Sequence, residues 1–357
     1  MEKRNRKKRK MVVSAVTLAL LLAAVFFGAT LLDGMQQRKQ EQVLRQTAET
    51  LKASKWTDQN TVTLDGEKFG FDHRIETYLF IGTDASGSSD PDNYWGPMAD
   101  FLLLMVLDHS DNTVACLQID RNTVTPVREL DKAGNEITSR NLQICTAHWY
   151  GRNPQMAAEN TAYAVRQYLG GLPKIDGYFE MSMEDVGKLN HAVGGVEVTI
   201  LDELDKDNPA LPQGETLTLT DEQAAYFIRV RMAVGSGTNA ERMARQRQYM
   251  ASFFTKVKEK TNENPAFGLE LWDMLHGAAV SSMNGNAFSR IAQKLLKGKD
   301  KGLKTIRGET VLGTVLGDGQ LHEEFYAADG AVRETMMDLF SLNPIGSGNE
   351  TTEGEIR

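Results

Sequence analysis

The sequence lacks the local motifs that mark the common hydrolytic and metal-dependent enzymes. Its six histidines are scattered, and no Gly-x-Ser-x-Gly, His-Glu-x-x-His or Cys-x-x-Cys motif occurs. These absences disfavour a serine hydrolase and a zinc enzyme. Only two cysteines are present, Cys116 and Cys145. They are compatible either with one disulfide outside the cell or with two small buried hydrophobic residues.

Long uncharged segments are scarce, but one lies near the N-terminus. Residues 11–32 carry no charge, and residues 1–10 contain seven Lys or Arg and one Glu. These 22 uncharged residues are long enough to cross a bilayer as a helix. A cleaved signal peptide would have a shorter core and a clearer cleavage site. We expect an uncleaved transmembrane signal-anchor at 11–32, with residues 1–10 cytoplasmic and the main domain extracellular.

Negative charge exceeds positive charge in the rest of the chain. The whole chain carries −8 and residues 1–10 carry +6 (seven minus one), which leaves −14 for the remainder. An acidic domain disfavours nucleic acid as a partner, because binding to it depends on neutralising phosphates. An anionic substrate would therefore need a local cluster of arginines.

Three short apolar segments predict the strands that organise the domain. They span residues 78–82, 101–107 and 113–119. Asp84 follows the first segment, Asp100 precedes the second and Arg121 follows the third. Ligands bind at strand ends in α/β sheets, and Mg²⁺ typically takes one or two carboxylates plus phosphate oxygens. Solvated turn residues are the competing interpretation of both aspartates.

Alternating strand and helix patterns predict an α/β fold over residues 75–342. We expect a mixed central β-sheet with helices on both faces. Residues 33–74 are expected to be a juxtamembrane spacer that includes a hairpin with its turn at Asp65-Gly66. Residues 343–357 are rich in Gly, Asn, Thr and Glu, which predicts a flexible tail.

Four further segments carry specific expectations. Residues 128–140 predict an exposed excursion with a turn at 132–135, residues 155–168 a helix and residues 310–316 a strand. A last helix at 331–340 has four apolar residues at core spacing, namely Val332, Met336, Met337 and Phe340.

A second informative stretch, residues 219–249, is rich in arginine. Its candidate ligand-binding residues are Arg229, Arg231, Arg242, Arg245 and Gln246. The first two diverge by about 200° on a helix, so they can converge only if the helix ends near them, which the glycines at 235 and 237 indicate. The last three share one face of the next predicted helix. The arginines either form surface ion pairs or converge on a diphosphate, whose oxygens match the guanidinium fork.

The motifs resemble those of a known family. They are Phe80-Ile-Gly-Thr-Asp84, Ala99-Asp-Phe-Leu-Leu103, Ile119-Asp-Arg-Asn-Thr123, Arg229-Val-Arg231 and Arg245-Gln246. They resemble the signature of the LytR-CpsA-Psr family of Gram-positive cell envelopes. The resemblance implies a membrane-anchored phosphotransferase in cell wall biogenesis. Such an enzyme moves a teichoic acid or capsule glycopolymer from a polyprenyl-diphosphate carrier to peptidoglycan, with Mg²⁺ (or Mn²⁺) as cofactor.

The resemblance also implies roles for individual residues. Asp84 and Asp100 would hold the metal and, with Arg121, form the catalytic set. The five residues of the arginine-rich stretch would bind the substrate. The family's segment at 178–196, present here, is scaffold and an apolar pocket for the polyprenyl tail.

Three positions depart from the family pattern. The chain has Asn122 and Asn239 where the family usually has Asp, and Gln143 where it usually has Lys. An amide offers no charged acceptor, so the partners of Arg121 must differ. Two hypotheses follow. One is the transferase, and the other is a non-catalytic polyprenyl-diphosphate-binding regulator or scaffold of the envelope.

Overall fold

A computed structural model describes most of the chain after residue 56. The described residues are 57–72, 74–84, 96–204, 208–231 and 235–345, together with 38, 39 and 42. All elements below lie in one compact unit, Asp58–Arg357. No helix in this described part is long and apolar enough to span a membrane. The transmembrane helix predicted at 11–32 and most of the predicted tail lie outside the described residues.

The elements alternate along the chain as an α/β fold requires. The strands are β1 (Thr61–Leu64), β2 (Glu67–Gly70), β3 (Ile75–Thr83), β4 (Ala99–Asp108), β5 (Thr113–Ile119), β6 (Val124–Leu130), β7 (Glu136–Gln143), β8 (Gly177–Ser182), β9 (Glu197–Thr199), β10 (Thr216–Thr218), β11 (Ala279–Ser281), β12 (Lys299–Thr305), β13 (Gly308–Gly313), β14 (His322–Ala327) and β15 (Asn343–Pro344). The helices are α1 (Thr146–Trp149), α2 (Pro154–Tyr168), α3 (Val186–Val193), α4 (Asp221–Arg229), α5 (Asn239–Glu263), α6 (Phe267–Leu275), α7 (Gly285–Lys297) and α8 (Ala331–Phe340).

Six strands form the central mixed sheet, in the order β11-β8-β3-β4-β5-β12. The three strands predicted first, β3, β4 and β5, are neighbours and pair antiparallel. β8 joins β3 in parallel, and β12 joins β5 in parallel. The predicted mixed sheet is therefore confirmed.

Alternate residues of β4 enter two cores on opposite faces of this sheet. Leu103, Met105 and Leu107 pack in the core that contains α5, α6 and α7. Leu102 and Leu104 face the other core, built largely from α2 and α8. Successive side chains of a strand point to opposite faces, so a strand that is apolar throughout requires cover on both. The expected helices on both faces are confirmed.

The predicted hairpin turn was confirmed, and side-chain caps mark two helix starts. Asp65 and Gly66 have φ of 51° and 80°, so both occupy the left-handed region that a two-residue hairpin turn needs. α4 begins at a capping box in which Thr220 and Gln223 exchange hydrogen bonds. Ser182 accepts a hydrogen bond from the Glu184 backbone N–H at the start of the helical segment that leads into α3.

Other predictions were wrong. The excursion predicted at 128–140 does turn at 132–135, but its two arms are strands, because β6 and β7 pair as a hairpin in which even Pro126 occupies a strand position. Met337 was assigned to the core but its side chain is exposed, while Met336 and Phe340 are buried. Both cysteines, Cys116 and Cys145, are buried free thiols, so the interpretation as small buried hydrophobes holds.

Candidate functional site

The strand ends of β3, β4 and β5 bring three predicted site residues to one edge of the sheet. Because β4 is antiparallel to both neighbours, its start lies beside the ends of β3 and β5. Asp84 directly follows β3, Asp100 is the second residue of β4, and Arg121 follows β5 by two residues. The backbone amide of Asp84 donates to the carbonyl of Met98, and the amide of Met98 donates to Asp84 Oδ1. The two aspartates are thus held at the same place.

Asp100 is bound by two arginines from different parts of the chain. Its Oδ1 lies 3.0 Å from Arg121 Nε, and its Oδ2 accepts a hydrogen bond from Arg242 Nη1 at 2.8 Å. Burial lowers the pKa of Arg242, and the nearby Arg121 and Arg231 lower it further, while Asp100 opposes this. Two arginines therefore share the Asp100 carboxylate, and Arg231 lies near enough to Arg242 to affect its pKa.

The guanidinium of Arg121 has weak partners for a buried cation. Its Nη2 contacts the sulfur atoms of Met98 and Cys145, at 2.8 and 3.1 Å. Its Nε is buried and makes no well-aligned hydrogen bond, despite the nearby Asp100 oxygen. Burial lowers the pKa of Arg121, but Cys145, Asp100 and Asp84 raise it more, and the pKa is raised overall. Thiol and thioether sulfur are poor acceptors, so this guanidinium fits an oxyanion ligand.

The three departures from the family pattern meet in one network. Asn122 Nδ2 donates to Glu323 Oε2 at 3.1 Å, and the backbone amide of Asn239 donates to the same oxygen at 3.3 Å. Gln143 Nε2 donates to the carbonyl oxygen of Glu323 at 2.5 Å. Asp120 Oδ1 accepts from Asn239 Nδ2 at 2.7 Å. We call these five residues the amide network.

The amide network supports the arginines. Asn239 Oδ1 accepts from Arg242 Nε and Nη2, at 3.2 and 2.8 Å. Sequence analysis did not find Glu323, because β14 is distant in sequence and its residues form no motif. Asn239 begins α5, and this position lets it bridge Asp120, Glu323 and Arg242.

Within the network, burial raises the pKa of Asp120, and Glu323 raises it further, against hydrogen bonds from Asn122 and Asn239. A carboxyl with a raised folded-state pKa contributes stability below its unfolded pKa, near 4, that is lost as pH rises through the folded value. Asparagine does not titrate. We therefore expect Asp120→Asn to lose less unfolding free energy than the wild type does between pH 4.5 and pH 7.5. Denaturant titrations at both pH values measure this.

Asp131→Asn is the control with the opposite sign. Hydrogen bonds from Asn135 lower the pKa of the exposed Asp131. Its contribution is present above the unfolded pKa and is lost as pH falls, so this variant should be less stable at pH 7.5. If the unfolding free energy of Asp120→Asn depended on pH as that of the wild type does, the raised pKa of Asp120 would be contradicted.

The structure separates the predicted Arg-x-Arg pair. α4 ends at Arg229, as the sequence suggested. Arg229 is 45% exposed and lies 3.4 Å from Glu184. Arg231 turns to the amide network, where its Nη1 lies 3.9 Å from Glu323 Oε2. Arg231 thus lies near Arg121 and Arg242, and we call these three residues the arginine cluster. Arg229 lies apart on the surface.

Arg245 and Gln246 are buried and fully engaged by protein atoms. Arg245 donates to the carbonyls of Phe227 and Val230 and pairs with Asp202. Gln246 bonds to Gln118 and to the carbonyl of Ile228. The structure therefore does not bring these two side chains to the arginine cluster. Arg245 closes the end of α4 instead, and so fixes the segment that carries Arg231.

An apolar cavity of about 120 Å³ lies between the central sheet and α5, α6 and α7. It is lined mainly by aromatic, Met, Leu and Ile side chains of the α5–α6–α7 face, among them Phe101, Phe179, Tyr249 and Phe253. Gly82 also lines it, two residues before Asp84. A Cβ at Gly82 would lie 2.9 Å from the Cβ of Phe101, so only glycine fits there without displacing that ring. The cavity and the charged site therefore meet at the end of β3.

The two aspartates were predicted to hold a metal ion. Among the described residues there is no group of three or more His, Cys, Asp or Glu side chains arranged to hold a metal. Asp84 and Asp100 supply only carboxylate oxygens, and Asp100 already receives two arginines. Hard oxygen donors suit Mg²⁺, which commonly keeps one or two carboxylates and completes its shell with phosphate oxygens and water. The donor set fits Mg²⁺ together with a phosphate-bearing ligand.

The fold belongs to a class represented among solved structures. The protein gbs0355 from Streptococcus agalactiae superimposes with a TM-score of 0.59 at 16% identity, covering 74% of this chain and 88% of that one. TagV from B. subtilis gives 0.57 at 18% identity, covering 76% and 99%. At these identities the likeness establishes the mixed α/β fold.

The LytR_cpsA_psr family model matches residues 37–319, and the chain belongs to this family. A curated relative is the polyisoprenyl-teichoic acid–peptidoglycan teichoic acid transferase TagU of Bacillus cereus (strain AH820). It is 28% identical over 199 residues, which are 56% of this chain and 57% of the relative. The match thus spans little more than half the length of that relative.

Proposed function

We propose that this protein is a phosphotransferase that moves a glycopolymer from a polyprenyl-diphosphate carrier to peptidoglycan. One observation carries the proposal: Arg121, with two sulfur contacts beside its ion pair to Asp100, lies at the strand ends that also border an apolar cavity, which Gly82 and Phe101 line. A ligand that fills the apolar cavity and also binds the arginines has a long apolar chain and an anionic head. The family membership and the name of the B. cereus relative support a teichoic acid or a similar polymer as the cargo.

In this proposal the arginines hold the head group. Arg121, Arg231 and Arg242 bind the diphosphate oxygens, and Asp100 keeps two of these guanidinium groups oriented. Asp84 and Asp100 hold Mg²⁺ or Mn²⁺, which when bound supplies charge neutralisation on the diphosphate. Positioning and charge stabilisation account for most catalysis in phosphoryl transfer.

The arrangement at the membrane is part of the proposal. Residues 11–32 anchor the chain as a single transmembrane helix, with the catalytic unit on the outer side. The carrier lipid and the wall glycan are both reached from that side. The apolar cavity takes the first part of the polyprenyl chain.

A non-catalytic binding protein is the second candidate. It is favoured by the replacement of two carboxylates and one cation by Asn122, Asn239 and Gln143 within the network beside the arginines. A regulator or scaffold of this kind would keep the lipid-binding site without turnover.

A transfer assay with the full-length protein in detergent separates the two candidates. The substrate is a polyprenyl-diphosphate-linked saccharide, the acceptor is a peptidoglycan fragment, and Mg²⁺ is varied. We expect Mg²⁺-dependent release of polyprenyl phosphate together with saccharide-labelled acceptor, and loss of both in Asp84→Asn. Glu309→Gln, an exposed residue of β13, is the matched control. Binding of the lipid without release would contradict the transferase and favour the scaffold.

A further inference from the structure

Transfer to a sugar hydroxyl needs a group that accepts its proton, and most nearby carboxylates are occupied. Both oxygens of Asp100 contact arginines. Asp84 Oδ1 accepts from the Met98 amide, and this carboxylate is the other metal candidate. Asp120 is half-buried, its Oδ1 accepts from Asn122 and Asn239, and it lines a separate cavity with Ile119 and Tyr168. Asp100 is thus occupied, Asp84 is assigned to the metal and Asp120 borders another cavity, so none of the three is placed to act as the general base.

Glu323 is arranged differently. Its Oε2 accepts from Asn122 Nδ2 and from the Asn239 amide, whereas no described residue donates to its Oε1. Its side chain is 18% exposed. Nη1 of Arg231, a proposed diphosphate ligand, lies 3.9 Å from Oε2. One oxygen of Glu323 is thus held by donors, the other receives no hydrogen bond from a described residue, and the carboxylate lies beside a proposed diphosphate ligand.

The backbone of Glu323 is also held in place. Its carbonyl accepts from Gln143 Nε2. The backbone amide of Phe325, two residues further on, donates to the Asn122 carbonyl at 2.9 Å. Thr123 and Phe325 form a parallel bridge. β14 is therefore fixed to the segment that carries Arg121. Catalytic groups require this kind of support from their surroundings.

Glu323 gives the three departures a common physical reason. It lies beyond residue 319, where the family match ends. Aspartates at 122 and 239 would place like charges beside its carboxylate, whereas Asn122 donates an N–H to it. Gln143 serves as a neutral donor to the backbone at the same point. Amides at these positions accommodate an acid that β14 supplies.

We propose that Glu323 is the general base that accepts the proton of the acceptor hydroxyl. This proposal rests on the proposed transferase function. The hydroxyl oxygen attacks the phosphorus that bears the glycopolymer, and its proton passes to Glu323 Oε1. The bond from that phosphorus to the bridging oxygen breaks, and polyprenyl phosphate leaves with the electron pair. A phosphodiester to the acceptor remains, and Glu323 then releases the proton to water.

The test compares Glu323→Gln and Glu323→Asp with the wild type and with Glu309→Gln. Glutamine keeps the size and an acceptor oxygen but cannot take the proton. We expect kcat for transfer to fall about 100-fold or more in Glu323→Gln, the usual contribution of a general base. The Kd for polyprenyl diphosphate should stay within about three-fold of the wild-type value, well below the ten-fold change that corresponds to about 1.4 kcal/mol. Glu323→Asp should recover at least about ten-fold of the lost rate.

Each other outcome overturns a defined part of the account. A Glu323→Gln variant with wild-type kcat refutes the base assignment but not the transferase. If lipid affinity falls by the same factor as the transfer rate, Glu323 has a structural role, and the base assignment is again refuted. A wild type that binds the lipid without transfer refutes the proposed function, and the base assignment with it. Thermal unfolding of all variants shows that the comparison is made on folded protein.

Discussion

Arg121→Lys is expected to weaken binding of a polyprenyl diphosphate about 100-fold and to abolish detectable transfer. The guanidinium is fixed at the end of β5 by Asp100 and by two sulfur atoms that are weak acceptors. A bound phosphate would replace these weak contacts with charge-assisted hydrogen bonds, which a lysine cannot make bidentately. The loss corresponds to about 2.7 kcal/mol, within the range for truncating a buried charged hydrogen-bond partner.

The measurement is a titration of full-length protein with a polyprenyl diphosphate in detergent, with and without Mg²⁺. Arg307→Lys is the matched control, because Arg307 is exposed and pairs with Glu334 at the surface. It should bind as the wild type does. If Arg121→Lys also bound normally, the cluster at the strand ends would not be the head-group site, and the proposed function would lose its main support.

Leu189→Trp is expected to weaken binding of the same lipid about 30-fold or more while leaving binding of inorganic pyrophosphate unchanged. Leu189 is half-buried and lines the apolar cavity, so the larger indole can enter the space without displacing a fully buried side chain. Each methylene kept out of an apolar site forfeits about 0.8 kcal/mol, so excluding even three or four carbons has this effect.

The comparison of two ligands makes this prediction specific to the chain-binding half of the site. Leu312→Trp, on the exposed face of β13, controls for an added surface tryptophan and should change neither affinity. Equal losses for the lipid and for pyrophosphate would show that the substitution disturbs the arginines. An unchanged lipid affinity would show that the prenyl chain does not occupy this cavity.

The strand-end site was predictable because its parts are local. β3, β4 and β5 follow one another in the chain and pair with their neighbours, so short apolar segments with polar ends were enough to place Asp84, Asp100 and Arg121 together. The end of α4 near Arg229 was predictable in the same way, from Gly235 and Gly237 that follow it in the chain.

The rest of the site depends on long-range contacts that leave no local signal. β12 is rich in lysine and lacks an apolar pattern, yet it extends the main sheet beside β5. Glu323 reaches the network across 201 residues from Asn122. Arg245 shares a helix face with Arg242 in the sequence pattern, but the carbonyls at the end of α4 engage it first. Periodicity identifies which side chains share a face, and only packing decides what they contact.

The most direct test of the central claim is a crystal structure of the protein with a polyprenyl diphosphate and Mg²⁺. The account predicts the chain in the cavity lined by Phe101 and Phe253, and the diphosphate on Arg121, Arg231 and Arg242. It also predicts that phosphate oxygens replace the sulfur contacts of Arg121. A lipid bound elsewhere, or a head group that leaves Arg121 on Met98 and Cys145, would contradict it.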